Sequence, residues 1–314
     1  MNSVHLRGLV ACALLSATFV ISAEAAPKIG LLLKGKTPFW ASMEKGALQA
    51  GQKLGVEVIV KTPPTENDIA VQVQLLNALA SQGVEAVVIA PSSTDVLRPP
   101  IQNLAAKGMK IVVVDTTLGP GSPGVFVGSD QHAAGETAGK FLNNLLVEGE
   151  EVTLLRHNQT SGATMERERG VLDSLRAAHP KIVIHGDIYA STDKGVEAER
   201  AALIFTKYPA TKGVVASGSP GTFALIDLLK EKKSAGIKFV GFGYNLTPIA
   251  ADAIEHGIMQ GWVAQLPHRI GAQAIEAAVA SIKGEPIPAT IYTPVIIVTK
   301  DNLNAPEVQA LLSE

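Results

Sequence analysis

With 314 residues, 46% of them apolar, the chain has enough material for two lobes of ordinary domain size around hydrophobic cores. Its 27 Lys and Arg against 29 Asp and Glu leave a net charge of −2, which gives no electrostatic hold on nucleic acid or anionic lipid. A single cysteine rules out a disulfide within the chain.

The first residues read as an export signal. Arg7 supplies a basic start, Gly8 to Ile21 form an apolar run, and Ala23 and Ala25 flank Glu24 in a small-x-small pattern. The run is shorter than the roughly 20 residues that span a bilayer, so cleavage after Ala25 and a periplasmic mature protein are expected. Leu9-Val10-Ala11-Cys12 has the residue types of a lipoprotein box, which would leave Cys12 lipidated. Its position argues against that reading, because the apolar run continues past it from Ala13 to Ile21. Removing residues 1–25 takes away the one cysteine, so neither thiol chemistry nor a cysteine-bound metal is expected.

Downstream, Val- and Ile-rich runs alternate with amphipathic stretches of helical period, the pattern of parallel sheets covered by helices. Strands are predicted at Lys28 to Leu33, Val56 to Lys61, Ala86 to Ala90, Lys110 to Asp115 and Val125 to Val127, with helices near 39–53, 67–81 and 95–107. A second series follows, with strands at Glu151 to Arg156, Ile182 to Ile188, Gly213 to Ala216, Lys238 to Phe242 and Met259 to Val263. Its helices lie near 131–147, 163–177, 193–207, 219–233 and 248–255. A helix over 268–282, one strand from Ile291 to Val298 and a polar helical tail from about Asn304 complete the chain. The fold class is therefore α/β, two doubly wound, Rossmann-like lobes with parallel sheets.

In open parallel sheets, ligands bind beyond the carboxyl ends of the strands. The polar residues at those ends in the first lobe are Lys34, Lys36 and Thr37, then Ser92 to Thr94, then Asp115 to Thr117. The second lobe offers His157 to Gln159, Ser191 to Asp193, Ser217 to Ser219, and Tyr244 with Asn245. Turn and cap chemistry explains Ser93, Thr94, Asp193 and Ser219 best. Asp115 differs, because it ends the run Ile-Val-Val-Val and is a costly charge unless it meets a donor. In a chain only 4% aromatic, the adjacent rings Phe39 and Trp40 suggest a wall for a ligand.

Several segments together resemble one family: PFW followed by KGA, QVQLLNALASQGVEAVVIAP, GMKIVVVDT, VGSD followed by GETAGKFL, ERERG, FVGFG, and VAQLP with IG. The chain resembles type I periplasmic solute-binding proteins of the ribose and galactose group, the substrate-capturing components of bacterial sugar ABC importers. The resemblance implies a first lobe of residues 26–129 and 266–290 and a second of residues 130–265 and 291–314. Crossovers then fall near Ser129-Asp130, Gln265 to Pro267 and residues 287–291, and the lobes close on ligand about this hinge. It also implies stacking rings at Phe39 and Trp40, a hydroxyl-binding carboxylate at Asp115, an arginine at Arg167 and a hinge-side amide at Gln265.

The chain departs from the sugar-binding pattern elsewhere. Thr116 replaces an arginine, Gly218-Ser219 an Asn-Asp pair, Gly243 (before Tyr244 and Asn245) an aspartate, and Thr192 a second-lobe ring. Lys34 is similar to a lysine of the branch that binds a furanosyl signal and related deoxy-sugars. The candidate ligand-binding set is thus Lys34, Thr37, Phe39, Trp40, Ser92, Asp115, Thr116, Asn158, Arg167, Thr192, Gly218, Tyr244, Asn245 and Gln265. The implied ligand is a sugar, deoxy-sugar, polyol or related metabolite, and the implied partner is an ABC permease in the inner membrane. The protein is expected to be a monomer without cofactor, metal or nucleic acid. An alternative with the same cleft is a sensor that presents its solute to a membrane histidine kinase or chemoreceptor.

Enzyme readings fare worse. Ser217-Gly218-Ser219-Pro220-Gly221 lacks the first glycine of a nucleophile elbow, the seven histidines are dispersed, and Lys34-Gly35-Lys36-Thr37 lacks the glycine that opens a phosphate loop. A DNA-binding regulator of the LacI type is contradicted by the export signal and by the lack of a helix-turn-helix before Lys28.

Overall fold

A computed structural model describes residues 26–191, 195–232 and 236–312. The export signal with its cleavage site, and Thr192, lie outside the described residues. The first series comprises β1 (Lys28–Leu32), α1 (Pro38–Leu54), β2 (Glu57–Lys61), α2 (Ile69–Ser81), β3 (Ala86–Ile89), α3 (Thr94–Ala106), β4 (Lys110–Val114) and β5 (Val125–Gly128). The second comprises α4 (Gln131–Asn143), β6 (Glu151–Arg156), α5 (Gly162–Ala178), β7 (Val183–Tyr189), α6 (Val196–Lys207), β8 (Thr211–Ala216), α7 (Ser219–Lys232), β9 (Lys238–Tyr244), α8 (Pro248–Glu255) and β10 (Gly261–Gln265). The chain ends with α9 (Pro267–Lys283), β11 (Thr290–Tyr292), β12 (Ile296–Val298), α10 (Pro306–Gln309) and a 3₁₀ turn, Ala310–Leu312.

The strands form two six-stranded sheets, ordered β11-β5-β4-β3-β1-β2 and β12-β10-β9-β8-β6-β7. Pairing is parallel throughout except between β10 and β12. Helices cover both faces of each sheet, which is why the central strands read as unbroken apolar runs: β3 is buried at every position. In the first lobe, α1 and α9 enclose one core with Met43, Val88 and Ile275, and α2 and α3 enclose another with Leu76, Ile89 and Leu97. The second lobe repeats the plan, with α4 and α5 on one face and α6, α7 and α8 on the other.

One predicted element is corrected. The single strand expected from Ile291 to Val298 is two short strands, β11 in the first sheet and β12 in the second. Pro294 lies between them, and a residue without a backbone N–H cannot continue a ladder. The third crossover therefore falls at residues 293–295 rather than 287–291, and the chain change placed at 290/291 moves past Tyr292. Thr293 fixes the crossing, donating its N–H to the Gly128 carbonyl at 2.8 Å while its hydroxyl meets Ser129 Oγ at 3.3 Å.

In each lobe, glycines bring a helix pair into backbone contact. A Cβ on Gly46 would lie 2.0 Å from the His268 carbonyl oxygen, and one on Gly271 2.0 Å from that of Met43, so α1 and α9 approach through reciprocal glycines. In the second lobe a Cβ on Gly135 would lie 1.9 Å from the Arg167 carbonyl oxygen, and one on Gly170 2.1 Å from that of His132. Gly135→Ala, which in an ordinary helix interior is stabilising, is therefore expected to destabilise by about 1–3 kcal/mol through overpacking of α4 on α5. A urea unfolding midpoint equal to or above that of the unaltered protein contradicts this.

Candidate functional site

In both sheets the order of connection reverses beside the first strand of the series, at β1/β3 and at β6/β8. The loops leaving these strands meet around one cavity of about 220 Å³, large enough for one small molecule. Lys34, Thr37, Phe39, Trp40 and Asp115 line it from the first lobe, and Arg167, Gly218, Tyr244 and Gln265 from the second.

The aromatic wall follows from how α1 begins. Thr37 is the N-cap residue and Pro38 opens the first turn; the Thr37 side chain makes no capping bond, and both residues line the cavity. Phe39 meets Trp40 edge-to-face at 4.8 Å and, across the cleft, Tyr244 at 6.2 Å. Trp40 is buried, and its Nε1–H donates to Glu66 Oε1 at 2.7 Å.

The charged groups are buried and largely satisfied by one another. Lys34 Nζ donates to Asp115 Oδ2 at 2.7 Å, to Thr116 Oγ1 at 2.5 Å and, across the cleft, to Ser161 Oγ at 3.4 Å. Asp115 takes a left-handed backbone (φ 62°), a conformation that aspartate tolerates better than most residues. Glu66, from the loop after β2, holds His157 Nε2 at 3.2 Å through Oε2. Burial pushes the Glu66 carboxyl up, but the His157 contact, the Lys34 charge and the Trp40 hydrogen bond outweigh it and lower its pKa to about 2. On α5, Arg167 donates twice to Gln131 Oε1, at 3.0 and 2.6 Å, and once to the Ser217 carbonyl at 2.5 Å. Gln131 in turn donates to Gln265 Oε1 at 2.9 Å. Burial lowers the Arg167 pKa to about 10 against the opposing charges of Asp115 and Glu168, so it stays cationic.

Four candidates do not line the cavity. Thr116 is fully buried as an acceptor for Lys34. Ser92 is buried with its N–H donated to Gln72 Oε1. Asn158 closes a turn, its Oδ1 accepting from the N–H groups of Thr160 and Ser161. Asn245 is a left-handed residue (φ 46°) whose carbonyl accepts Trp262 Nε1–H at 2.7 Å, so its backbone anchors the strand end. Conversely, Glu66, His157, Ser161, Thr164 and Phe223 line the cavity without having been chosen from the sequence. His157 stood at a strand end and was within reach of that rule. Glu66 lies in the turn-like stretch Pro63-Pro64-Thr65-Glu66-Asn67-Asp68, where only the fold brings it inward.

The departures from the sugar-binding pattern acquire a steric reason. A Cβ on Gly218 would lie 2.8 Å from His157 Nδ1, so the histidine occupies the space a side chain there would need. A Cβ on Gly243 would lie 1.9 Å from Trp262 Cη2, so the indole excludes a carboxylate.

Comparison with known proteins agrees with this architecture. The ribose import binding protein of Salmonella typhimurium is 26% identical over 290 residues, 92% of this chain and 96% of that protein. The D-allose-binding periplasmic protein of Escherichia coli is 26% identical over 277 residues, 85% and 88% of the two chains. The periplasmic component of an ABC-type sugar transport system from Hahella chejuensis superposes with a TM-score of 0.81 at 29% identity, over 87% of this chain and 100% of that one. A carbohydrate transporter solute-binding protein from Agrobacterium radiobacter, in complex with D-arabinose, gives 0.84 at 26% identity, over 92% and 99%. Residues 29–286 match the family described as periplasmic binding protein domain, and the chain belongs to that family.

Proposed function

We propose that this chain is the exported, substrate-capturing component of an ABC importer, taking a sugar or sugar-like small solute into the cleft by hinge closure. The observation that carries this reading is a cavity built jointly by the carboxyl ends of both sheets and crossed by bonds between them. Lys34 reaches Ser161, Glu66 holds His157, and Phe39 meets Tyr244. Opening the cleft breaks all three contacts, and a solute touching both walls favours the closed form by its differential affinity. The two lobes turn about the crossings near 129–130, 265–267 and 293–295. The names of the relatives, import binding proteins for ribose and allose, support the same role. The charged groups of the site are engaged in pairing, Lys34 with Asp115 and Glu66 with His157. The mature protein starts after Ala25, works as a monomer in the periplasm and delivers its solute to an inner-membrane permease.

A thermal-shift screen of the mature protein against pentoses, hexoses and polyols tests the role. A solute at 100 times its Kd stabilises by about 2.7 kcal/mol, a readily measured rise in melting temperature. No rise with any member of the panel counts against solute capture.

Asp115→Asn and Arg167→Met each remove a charged hydrogen-bonding group from the cavity. Each is expected to weaken binding about 10–100-fold by calorimetry, the scale of a lost charge-assisted hydrogen bond. Unchanged affinity in both variants displaces the site.

Closure also carries a pH signature. The folded-state pKa of Glu66 lies below its ordinary value, so its contribution is complete above about 4.5 and is lost as pH falls towards 2. The contribution is about 3 kcal/mol. Glu66→Gln is expected to be less stable at pH 7 and to lose less stability between pH 5 and pH 3. An acid branch in the variant that overlays the original refutes this account of Glu66.

A further inference from the structure

An edge strand exposes a row of unpaired backbone N–H and C=O groups that can capture a strand of another chain. The two open sheets have four such edges, β11, β2, β12 and β7, and three of them are blunted. β11 and β12 hold three residues each, with Pro294 between them. β7 contains Gly186 and pairs irregularly, its register with β6 shifting between Thr153 and Leu155. β2 is different: Glu57-Val58-Ile59-Val60-Lys61 keeps unbroken register with β1, contains neither Gly nor Pro, and leaves Val58, Ile59 and Val60 only half-buried.

The open side of β2 follows from its paired side. Glu57 donates its N–H to the Pro27 carbonyl, and the Lys61 carbonyl accepts from the Leu33 N–H, so both residues face β1. Bonded residues alternate along a parallel ladder, which places Ile59 on that side too and turns the N–H and C=O groups of Val58 and Val60 outwards. No strand lies beyond them.

We propose that β2 is a self-association edge: two copies of the chain pair their β2 strands antiparallel about a twofold axis at Ile59, joining their first-lobe sheets into one. In this register the sequence is complementary to itself. Val58 falls opposite Val60 of the other copy, and these outward-facing residues exchange both bonds of a ladder pair on each side of the axis. Glu57 falls opposite Lys61 of the other copy, twice by symmetry, on the face that both share with Ile59. A parallel pairing in register would instead set Glu57 beside Glu57 and Lys61 beside Lys61. Within its own chain Glu57 meets Lys28 Nζ at 3.9 Å, with both side chains exposed, and Lys61 has no ion-pair partner among the described residues.

The dimer goes beyond solute capture and does not depend on it. None of the five residues lines the cavity, so each copy keeps its own cleft. A five-residue pairing is small against the about 1,200 Å² of a stable interface, so association is reversible and the dilute protein works as single chains.

Sedimentation velocity of the mature protein from about 5 to about 500 µM tests this, and the expected result is a mass that rises from one chain towards two. Lys61→Glu sets carboxylate against carboxylate in both pairs and is expected to raise the dimer Kd about tenfold or more. Adding Glu57→Lys restores opposite charges in exchanged order and is expected to bring the Kd back. Val60→Pro removes an outward N–H while leaving the ladder to β1, and is expected to abolish the dimer in a chain that still folds. The proposal is overturned by a single-chain mass at the highest concentration, by a Lys61→Glu variant that pairs as tightly as the unaltered chain, by a double exchange that fails to restore pairing, or by a folded Val60→Pro variant that still dimerises. Should Val60→Pro fail to fold, the charge exchange decides alone.

Discussion

The arrangement at the cleft depends on burying an ammonium group. Lys34 is 1% exposed, and a charge so placed needs all its protons satisfied within the protein. Asp115, Thr116 and Ser161 do this, two from the carboxyl end of β4 and one from the opposite lobe. The left-handed turn at Asp115 follows from that demand, since it lets neighbouring side chains of one strand end converge on the same nitrogen. Glu66 repeats the logic with Trp40 and His157. Losing either member of such a pair leaves an unpaired buried charge, which costs about 3–5 kcal/mol. The polar side chains at the strand ends thus serve the protein before they serve any ligand.

The scaffold reaches this site through α5. The carbonyl oxygen of Arg167 lies where Gly135 has no side chain, so the closeness of α4 to α5 fixes the backbone from which the guanidinium projects. Gln131, at the start of α4, then accepts two of its protons and passes a bond on to Gln265, at the end of β10 beside the second crossing. One contact chain links helix packing, the Arg167 donor and the second crossing between the sheets.

Much of this was legible in the sequence because parallel strands covered on both faces leave dense apolar runs, and the order of those runs sets the topology. The strand-end rule found Lys34, Asp115, Gly218 and Tyr244 for the same reason: the position follows from where the run stops. What the rule does not encode is direction. Asn158 and Asn245 stand at the same kind of strand end as Asp115, yet one closes its own turn and the other is held through its backbone. Glu66 was invisible because nothing local distinguishes a glutamate that reaches an indole and a histidine from one that faces water. The break between β11 and β12 was signalled by Pro294, and the continuous apolar stretch outvoted it.

The same pairing joins the two walls of the cavity. Because Ser161 meets Lys34 and His157 meets Glu66 across the cleft, each wall satisfies part of the other's buried polarity. Gly218 leaves the room that His157 fills, and Gly243 the room that Trp262 fills, so the missing side chains at these two strand ends are what let the histidine and the indole pack where they do.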